Sequence, residues 1–295
     1  MKKISLSFLI VVTIFSCNSK DDKKDYNFNP YCENPEGAML LTHDALERSY
    51  FVFAPDNLSG TPLPLIFNFH GYGGTIENYV ESADLRELVT TKNSIVVYPQ
   101  GSCLEGVPHW NAALPGADNK STTDDLGFVE ALIDQLAQDY LIDQDRIYAC
   151  GFSNGGMMAY ALACYRSDLV AAVGSISGVM LDTSGSCTPN RAVPVIKLHG
   201  TNDPILPFNG DTNWNSAQSA IDFWVTNNQT NTTPQLSTYN NIERALYAEG
   251  SNGTSVDFYK ILNGEHEWFN LNVENQDTAN LLWNFFDLYD RNGLR

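Results

Sequence analysis

The sequence predicts an α/β protein in which a mostly parallel, doubly wound sheet is flanked by helices within a single domain. Short apolar runs typical of strands alternate along the chain with segments of helical periodicity. Some runs, such as 65–69, are apolar at nearly every position, as expected of parallel strands buried on both faces. With 295 residues, 43% of them hydrophobic, the chain is long enough to build one large core. No internal repeat or second domain is evident.

The predicted elements alternate in chain order. We expect strands at 50–54, 65–69, 94–98, 146–150, 170–173, 193–198 and 255–262. We expect helices at 79–91, 125–140, 154–164, 217–225 and 278–289. Because parallel neighbours need crossover connections, this alternation predicts parallel βαβ units. The Asn- and Thr-rich stretch 227–241 is interpreted as a surface loop.

The N-terminus has the pattern of a secretory signal. Lys2 and Lys3 precede an apolar run that is too short to span a membrane as a helix. The stretch that ends at Cys17 resembles a relaxed bacterial lipobox, which implies cleavage before Cys17 and lipid on its sulfur. We therefore expect a lipoprotein signal peptide at 1–16, the lipidated cysteine with a flexible tether at 17–35, and the folded α/β domain at 36–295.

This pattern predicts a location outside the cytoplasm, with the protein lipid-anchored to the bacterial outer membrane. The Ser-Lys-Asp-Asp run at 19–22 resembles surface-export signals of lipoproteins in the Bacteroidota, which implies exposure at the cell surface. The alternative is an ordinary signal peptide with an incidental cysteine. The sequence gives no indication of the oligomeric state.

The charge and composition exclude several classes of partner. The net charge of −18 repels nucleic acid and anionic membrane surfaces, so we expect membrane contact through the lipid anchor alone and no nucleic-acid partner. No cysteine spacing resembles a zinc site, and neither a metal nor a cofactor is expected.

Five cysteines follow Cys17, and an odd number leaves one thiol unpaired in an oxidising compartment. Cys150 ends an apolar strand and is expected to be the buried free thiol. The other four allow three connectivities, of which we prefer Cys164 with Cys187.

The segment 151–155 has the spacing G-x-S-x-G between a predicted strand and a predicted helix. A sharp turn at that position presents the hydroxyl of Ser153 above the sheet. The helix that begins at Asn154 then points free N–H groups at a developing oxyanion. Because the spacing alone occurs by chance, its position between strand and helix is what favours Ser153 as a nucleophile.

A serine hydroxyl is a weak nucleophile and needs a base that is itself oriented by an acid. With this kind of serine turn, the acid and then the histidine follow the serine along the chain. Of the five histidines, only His266 lies beyond Ser153 and beyond every plausible acid that follows it. Asp203, in the turn after the strand at 193–198, is the preferred acid, although an aspartate before proline is also ordinary turn chemistry. The other candidate acids are Asp182, Asp211 and Asp222.

The glycine-rich segment 71–74 follows a predicted strand and lets backbone approach a substrate oxygen. We assign the two oxyanion donors to the backbone N–H groups of Tyr72 and Asn154. His70 and His199 each precede a glycine at a strand end, and we interpret both as structural residues that bond loop backbone. No lysine follows the glycines, so a phosphate-binding loop is not indicated.

Two tryptophans lie near the expected active-site loops. Trp110 and Trp268 are candidates for the wall of a substrate pocket, with packing or loop anchoring as the alternative. The pair at 124–125 could suggest a metal site. We instead interpret Asp125 as a helix start, favoured by the N-cap position and the helix dipole.

From about residue 46 to 290 the chain resembles the secreted polyhydroxybutyrate depolymerase-like esterases, a group that includes bacterial feruloyl and acetyl-xylan esterases. The resemblance implies the α/β-hydrolase fold and carboxylic ester hydrolysis without a cofactor. The family's triad falls on Ser153, Asp203 and His266, its Trp-Asn segment on 110–111, and its aromatic after the histidine on Trp268. The segments that carry the resemblance are PLIFNFHGYGGT, VVYPQG, HWNAA, DDLGFVEALIDQL, RIYACGFSNGGMMAYALAC, VIKLHGTNDPILPFNG and GEHEW.

The chain departs from the family around the histidine, where Gly-Glu-His-Glu-Trp stands in place of Gly-Gly-Gly-His, and in lacking a late cysteine pair. The resemblance implies a serine ester hydrolase that removes acetyl or feruloyl groups from plant polysaccharide. One alternative is a depolymerase of polyhydroxyalkanoate, an aliphatic polyester. An alternative of another class is a surface lipoprotein that binds glycans without catalysis.

Overall fold

A computed structural model describes residues 32–56, 60–114, 121–181 and 186–295. Within them, ten strands form one sheet in the order β1-β2-β4-β3-β7-β8-β9-β12-β11-β10. The strands are β1 Met39–His43, β2 Leu46–Phe53, β3 Leu63–Phe69, β4 Ile95–Pro99, β5 Ser102–Leu104, β6 Val107–His109, β7 Ile142–Phe152, β8 Ala172–Ile176, β9 Val195–Gly200, β10 Gln235–Tyr239, β11 Ile242–Tyr247, β12 Val256–Ile261, β13 Tyr289–Asp290 and β14 Gly293–Leu294. The helices are α1 Ile76–Ser82, α2 Glu87–Thr91, α3 Asp125–Asp139, α4 Asn154–Tyr165, α5 Ala217–Asn228 and α6 Thr278–Phe286.

The middle of the sheet is parallel, and both of its edges are antiparallel. Strands β4, β3, β7, β8, β9 and β12 pair in parallel with their neighbours. Strands β1 and β2 form an antiparallel edge beside β4, and β10 and β11 form another beside β12. This arrangement confirms the predicted fold class.

Helices cover both faces of the sheet. Buried side chains of α3, α4 and α5 pack on one face, and those of α1, α2 and α6 pack on the other. Successive residues of β3 alternate between the two layers, with Leu65 and Phe67 on one side and Ile66 on the other. Burial on both faces explains why the central strands are nearly continuous apolar runs.

Three sequence predictions about elements were wrong. The stretch 227–241 is not a loop throughout, because it contains β10, an edge strand with mostly polar, exposed residues. The helix expected at 79–91 is two helices, since Leu85 N–H donates to the hydroxyl of Tyr98 instead of to a helical carbonyl. The last helix ends at Phe286, and Tyr289 instead pairs with Leu294 in a short antiparallel ladder.

The disulfide prediction is confirmed. Cys164 is bonded to Cys187, and Cys32 is bonded to Cys103. Cys150 is the buried free thiol of the part of the chain that the structure describes. Cys17, the signal segment and most of the tether lie outside the described residues. The helices within those residues are all too short or too polar to cross a membrane.

Candidate active site

Ser153 lies in a tight turn between β7 and α4. Its backbone is left-handed, with φ 53° and ψ −117°, a conformation that is costly for any residue with a side chain. A hydrogen bond from Ser153 N–H to Ile176 O, 2.8 Å long, holds the turn against β8. A Cβ on Gly151 would lie 2.5 Å from the carbonyl carbon of Gly155, and one on Gly155 would overlap Phe69 O. Only glycine therefore fits on both sides of the serine.

The side chains of Ser153, His266 and Asp203 form one hydrogen-bonded row. His266 Nε2 lies 2.9 Å from Ser153 Oγ, and His266 Nδ1 lies 2.8 Å from Asp203 Oδ2. Because a carboxylate only accepts hydrogen bonds, Nδ1 carries the ring proton. Nε2 is then free to accept the proton of the serine hydroxyl, which is the geometry that a general base requires.

Asp203 is fixed by backbone as well as by His266. Its Oδ1 accepts hydrogen bonds from the N–H groups of Ile205 and Leu206, each 2.9 Å long. Burial raises the pKa of Asp203, but the hydrogen bonds from His266, Leu206 and Ile205 outweigh burial and leave the pKa below its usual value. The acid therefore stays ionised beside the imidazole.

The loop that carries His266 is tied to two neighbouring strands. Ser177, directly after β8, donates from Oγ to Glu267 O at 2.9 Å. Asn202, after β9, donates from its N–H to Gly264 O at 2.9 Å. The ring of His266 also packs on Phe152, with centroids 5.0 Å apart. These contacts help to position the imidazole of His266, in addition to its hydrogen bonds to Ser153 and Asp203.

The alternative acids have other roles in the part of the chain that the structure describes. Asp211 accepts from the N–H groups of Asn213 and Trp214 in a turn, and Asp222 bonds Gln218 on the surface of α5. Asp182 lies outside the described residues.

The two residues proposed to donate to the oxyanion line the same cavity as Ser153. Tyr72, Ser153 and Asn154 all line this cavity. Asn154 is the first residue of α4, so its N–H has no acceptor within the helix. These positions fit the role assigned to both N–H groups from the sequence, which stays a prediction.

His70 holds the glycine-rich loop, as the sequence analysis expected. Its Nδ1–H donates to Gly71 O at 2.7 Å, and its Nε2 accepts from Gly101 N–H at 2.9 Å. The ring is fully buried, and burial lowers its pKa to about 4. A histidine that is neutral at pH 7 therefore joins the glycine-rich loop to the segment after β4. His199 likewise bonds loop backbone, donating to Leu206 O at 2.9 Å.

Trp110 anchors a loop and also lines the cavity beside the serine. Its role in the wall of a substrate pocket stays a prediction. It is 2% exposed, and its indole N–H donates to His70 O at 3.0 Å. Trp268 is half-buried and packs edge-to-face on Tyr79, with centroids 6.0 Å apart. It lines a second cavity together with His266.

The interpretation of Asp125 as a helix start was only partly right. Residue 125 does begin α3, but the N-cap is Asp124, whose carboxylate accepts from Gly127 N–H. The carboxylate of Asp125 is instead buried, 2.7 Å from the guanidinium of Arg48, and accepts from Asn111 N–H at 2.6 Å. It therefore fixes the loop that carries Trp110. The described residues contain no group of carboxylates, histidines and cysteines able to hold a metal.

Two cavities lie beside the row of three side chains, one lined by Ser153 and the other by His266. The smaller, about 170 Å³, is mostly apolar and includes Ser153, Trp110 and Met157 in its wall. The larger, about 570 Å³, is more polar and includes His266, Trp268 and several carboxylates. Ser153 and His266 thus line two cavities of different polarity.

Sequence reasoning missed three contributors to the site. The side chain of Asn154 bonds the backbone of Trp110, Arg48 pairs with Asp125, and Lys197 lies buried behind Asp203. Lys197 did carry a signal, because a lysine inside an otherwise apolar central strand is unusual. The first two depend on contacts between distant segments and left no local pattern.

Comparison with known proteins gives one family and several relatives. The family model described as phospholipase/carboxylesterase matches residues 64–240. A protein named "Probable feruloyl esterase C" from Aspergillus niger is 33% identical over 184 residues, covering 62% of this chain and 64% of that one. Feruloyl esterase C of Emericella nidulans is 34% identical over 164 residues, covering 55% and 57%. A bifunctional acetylxylan esterase/xylanase of Neocallimastix patriciarum is 31% identical over 161 residues, covering 55% and 22%.

The chain thus spans less than two thirds of the length of these relatives. Among solved structures, the acetyl xylan esterase of Aspergillus awamori aligns with a TM-score of 0.63 at 15% identity, over 85% of this chain and 98% of that one. The carboxylesterase of Bacillus cereus aligns with a TM-score of 0.52 at 18% identity, over 81% and 93%. These likenesses confirm the α/β-hydrolase fold.

Proposed function

Since the chain belongs to the phospholipase/carboxylesterase family, we propose that it is a serine carboxylic ester hydrolase with Ser153 as nucleophile, His266 as base and Asp203 as the orienting acid. The observation that carries the proposal is the continuous row Ser153–His266–Asp203, with contacts of 2.9 and 2.8 Å, at a strained turn. A strained serine backed by an oriented base is the arrangement that acyl transfer needs.

The reaction follows from this geometry in two steps. Ser153 Oγ attacks the ester carbonyl carbon while His266 Nε2 takes its proton, and the negative oxygen is held by the N–H groups of Tyr72 and Asn154. The tetrahedral intermediate expels the alcohol, which receives the proton from His266. Water, deprotonated by His266, then attacks the acyl-enzyme and releases the carboxylic acid and free Ser153.

The two cavities support binding of the acyl group and of the sugar of the substrate at separate places. The apolar wall of the smaller cavity, which includes Trp110 and Met157, suits a short or aromatic acyl group. The larger cavity is lined by the aromatic residue Trp268 and by the carboxylate residues Glu267 and Asp277, which suits a neutral sugar rich in hydroxyl groups. We therefore propose removal of acetyl or feruloyl groups from plant polysaccharide, the activities in the names of the relatives.

We also propose that the enzyme works outside the cytoplasm, lipidated at Cys17 on the outer membrane. Two disulfides in the described residues support an oxidising compartment, and the N-terminal pattern supports a signal peptide. Replacing Cys17 with Ala in the full chain should move the protein from the membrane fraction to the soluble fraction.

An activity panel tests the proposed substrate class. Purified protein and the variant Ser153→Ala are incubated with acetylated xylan, methyl ferulate, polyhydroxybutyrate and p-nitrophenyl acetate. We expect wild-type protein to release acid from xylan or methyl ferulate and from the p-nitrophenyl ester, and the variant to release none. Turnover of polyhydroxybutyrate alone would indicate a polyester depolymerase. Glycan binding without turnover of any ester would indicate a binding protein.

A further inference from the structure

Lys197 is a lysine within the central strand β9 that has no exposed surface. A buried ammonium group costs several kcal/mol unless acceptors surround it. The Nζ of Lys197 donates hydrogen bonds to Gly178 O and to His199 Nδ1, the latter 3.2 Å long, and lies 5.7 Å from the centroid of the Tyr160 ring. It therefore bonds a neutral carbonyl and a neutral imidazole, not the carboxylate that usually pairs a buried lysine.

The bond to His199 fixes which ring nitrogen carries the proton. An ammonium group has no lone pair, so Nδ1 of His199 must be the acceptor and Nε2 must hold the hydrogen. Burial, reinforced by the charge of Lys197, lowers the pKa of His199 to about 3, so the ring is neutral and has one proton. Burial also lowers the pKa of Lys197 to about 7, against the attraction of Asp203, so below that pH the lysine is a donor only.

The proton on Nε2 of His199 makes a hydrogen bond on the side of the ring that faces away from Lys197. His199 Nε2–H donates to Leu206 O at 2.9 Å and lies 3.4 Å from Asp203 Oδ2. The N–H of the same Leu206 donates to Asp203 Oδ1. The loop that holds the carboxylate of Asp203 therefore depends on His199 being protonated at Nε2.

We propose that Lys197 is a positioning residue for ester hydrolysis: it fixes the tautomer of His199, which clamps the 203–206 loop and so aligns Asp203 with His266. The inference rests on the function proposed above. The titratable side chains along and beside the path from Lys197 to Asp203 are His199 on β9, Asp203 after it, His266 after β12, and Tyr160 on α4.

The first experiment reads the tautomer directly. Imidazole ¹⁵N spectra of wild-type enzyme at pH 6 should show His199 with an unprotonated Nδ1 and a protonated Nε2. In Lys197→Met, which has a similar length and no donor, Nδ1 loses the group that excludes a proton there, and only the bond to Leu206 O still favours a proton on Nε2. The fraction of rings protonated at Nδ1 should therefore rise. A wild-type ring protonated at Nδ1, or a variant with an unchanged tautomer, would overturn the proposal.

The second experiment measures activity in a double-mutant cycle. We expect Lys197→Met to lower kcat for p-nitrophenyl acetate by roughly 10- to 100-fold with KM little changed, because the substrate does not touch this side chain. In His199→Gln, whose amide can donate to Leu206 O in any state, adding Lys197→Met should cause no further loss. Losses that add independently would show that Lys197 does not act through His199.

A matched control makes the same chemical change on the neighbouring strand. Lys260 on β12 lies opposite His199 in register but is partly exposed and pairs with Glu243. Lys260→Met should keep the wild-type kcat. Failure of the esterase proposal is distinguishable, because wild-type enzyme would then turn over no ester, whereas failure of the Lys197 inference leaves an active Lys197→Met variant with the wild-type tautomer.

Discussion

Asn154 holds the backbone of Trp110 with both ends of its side-chain amide. Its Oδ1 accepts from Trp110 N–H at 2.7 Å, and its Nδ2 donates to Trp110 O at 3.0 Å. Because Trp110 in turn donates to His70 O, the residue after Ser153 is connected to the backbone directly before the glycine-rich loop. This brace through Trp110 links the segments that carry the two proposed oxyanion donors.

Replacing Asn154 with Ala tests this brace. The variant keeps its backbone N–H, a proposed oxyanion donor, but leaves both polar groups of Trp110 without the amide. We expect kcat for p-nitrophenyl acetate to fall by roughly 10- to 100-fold, because donors displaced by a fraction of an ångström stabilise the oxyanion poorly. Asn154→Asp, which can still accept from Trp110 N–H, should lose less. Equal losses in the two variants would show that the accepting bond does not matter.

Removing one partner of the buried pair of Arg48 and Asp125 should be strongly destabilising. Both side chains are nearly inaccessible, and the guanidinium also lies 4.0 Å from the centroid of the Phe128 ring. Arg48→Met leaves an unpaired buried carboxylate, so the free energy of unfolding in urea should fall by about 3–5 kcal/mol. The double variant Arg48→Met/Asp125→Leu should recover much of that loss.

An exposed ion pair gives the control for this prediction. Arg86 bonds Asp84 at 2.7 Å on the surface. Arg86→Met should lower the free energy of unfolding by less than about 1 kcal/mol. If Arg48→Met cost no more than Arg86→Met, the buried pair would not be what holds the loop before α3.

The burial of His70 predicts how stability depends on pH. Its folded-state pKa is lowered from 6.5 to about 4, so below pH 6.5 the unfolded chain binds a proton that the native ring does not. The contribution of His70 to stability is therefore complete above pH 6.5 and is lost as the pH falls to about 4, by up to about 3 kcal/mol. This loss adds to that of other titrating groups.

His70→Gln isolates this contribution, because glutamine can donate to Gly71 O and accept from Gly101 N–H without titrating. Urea denaturation between pH 7 and 4 should show a steeper loss of stability for wild-type protein than for the variant. Parallel curves for the two proteins would mean that His70 is protonated as readily in the folded state as in the unfolded state.

The sequence predicted the parts of this molecule that depend on local pattern. The central strands were evident because burial on both faces makes them apolar. The turn at Ser153 was evident because G-x-S-x-G stands between a strand and a helix. The edge strand β10 was missed because an exposed edge can be polar. The break between α1 and α2 was missed because Tyr98, from the next strand, bonds the backbone of Leu85.

The residues of the candidate site likewise divide into those that a local pattern predicts and those that depend on contacts between distant segments. The segments that carry Asp203 and His266 each follow a parallel strand, and such strands bring their carboxyl ends to one edge of the sheet. The support of these residues was not evident, since Arg48 and Asp125, or Asn154 and Trp110, are distant in sequence and ordinary in isolation. Only the packed chain shows that Asp125 pairs with Arg48 and is not the N-cap of α3.

Covalent labelling tests the central proposal most directly. An alkyl fluorophosphonate reacts with a serine hydroxyl only when a base activates it, and it loses fluoride as the phosphorus–oxygen bond forms. Intact-mass and peptide analysis of wild-type protein at pH 7.5 should show one adduct, on Ser153, with parallel loss of p-nitrophenyl acetate turnover, and Ser153→Ala should take up none. Ester turnover that survives complete labelling of Ser153, or an adduct on a different residue, would contradict the account.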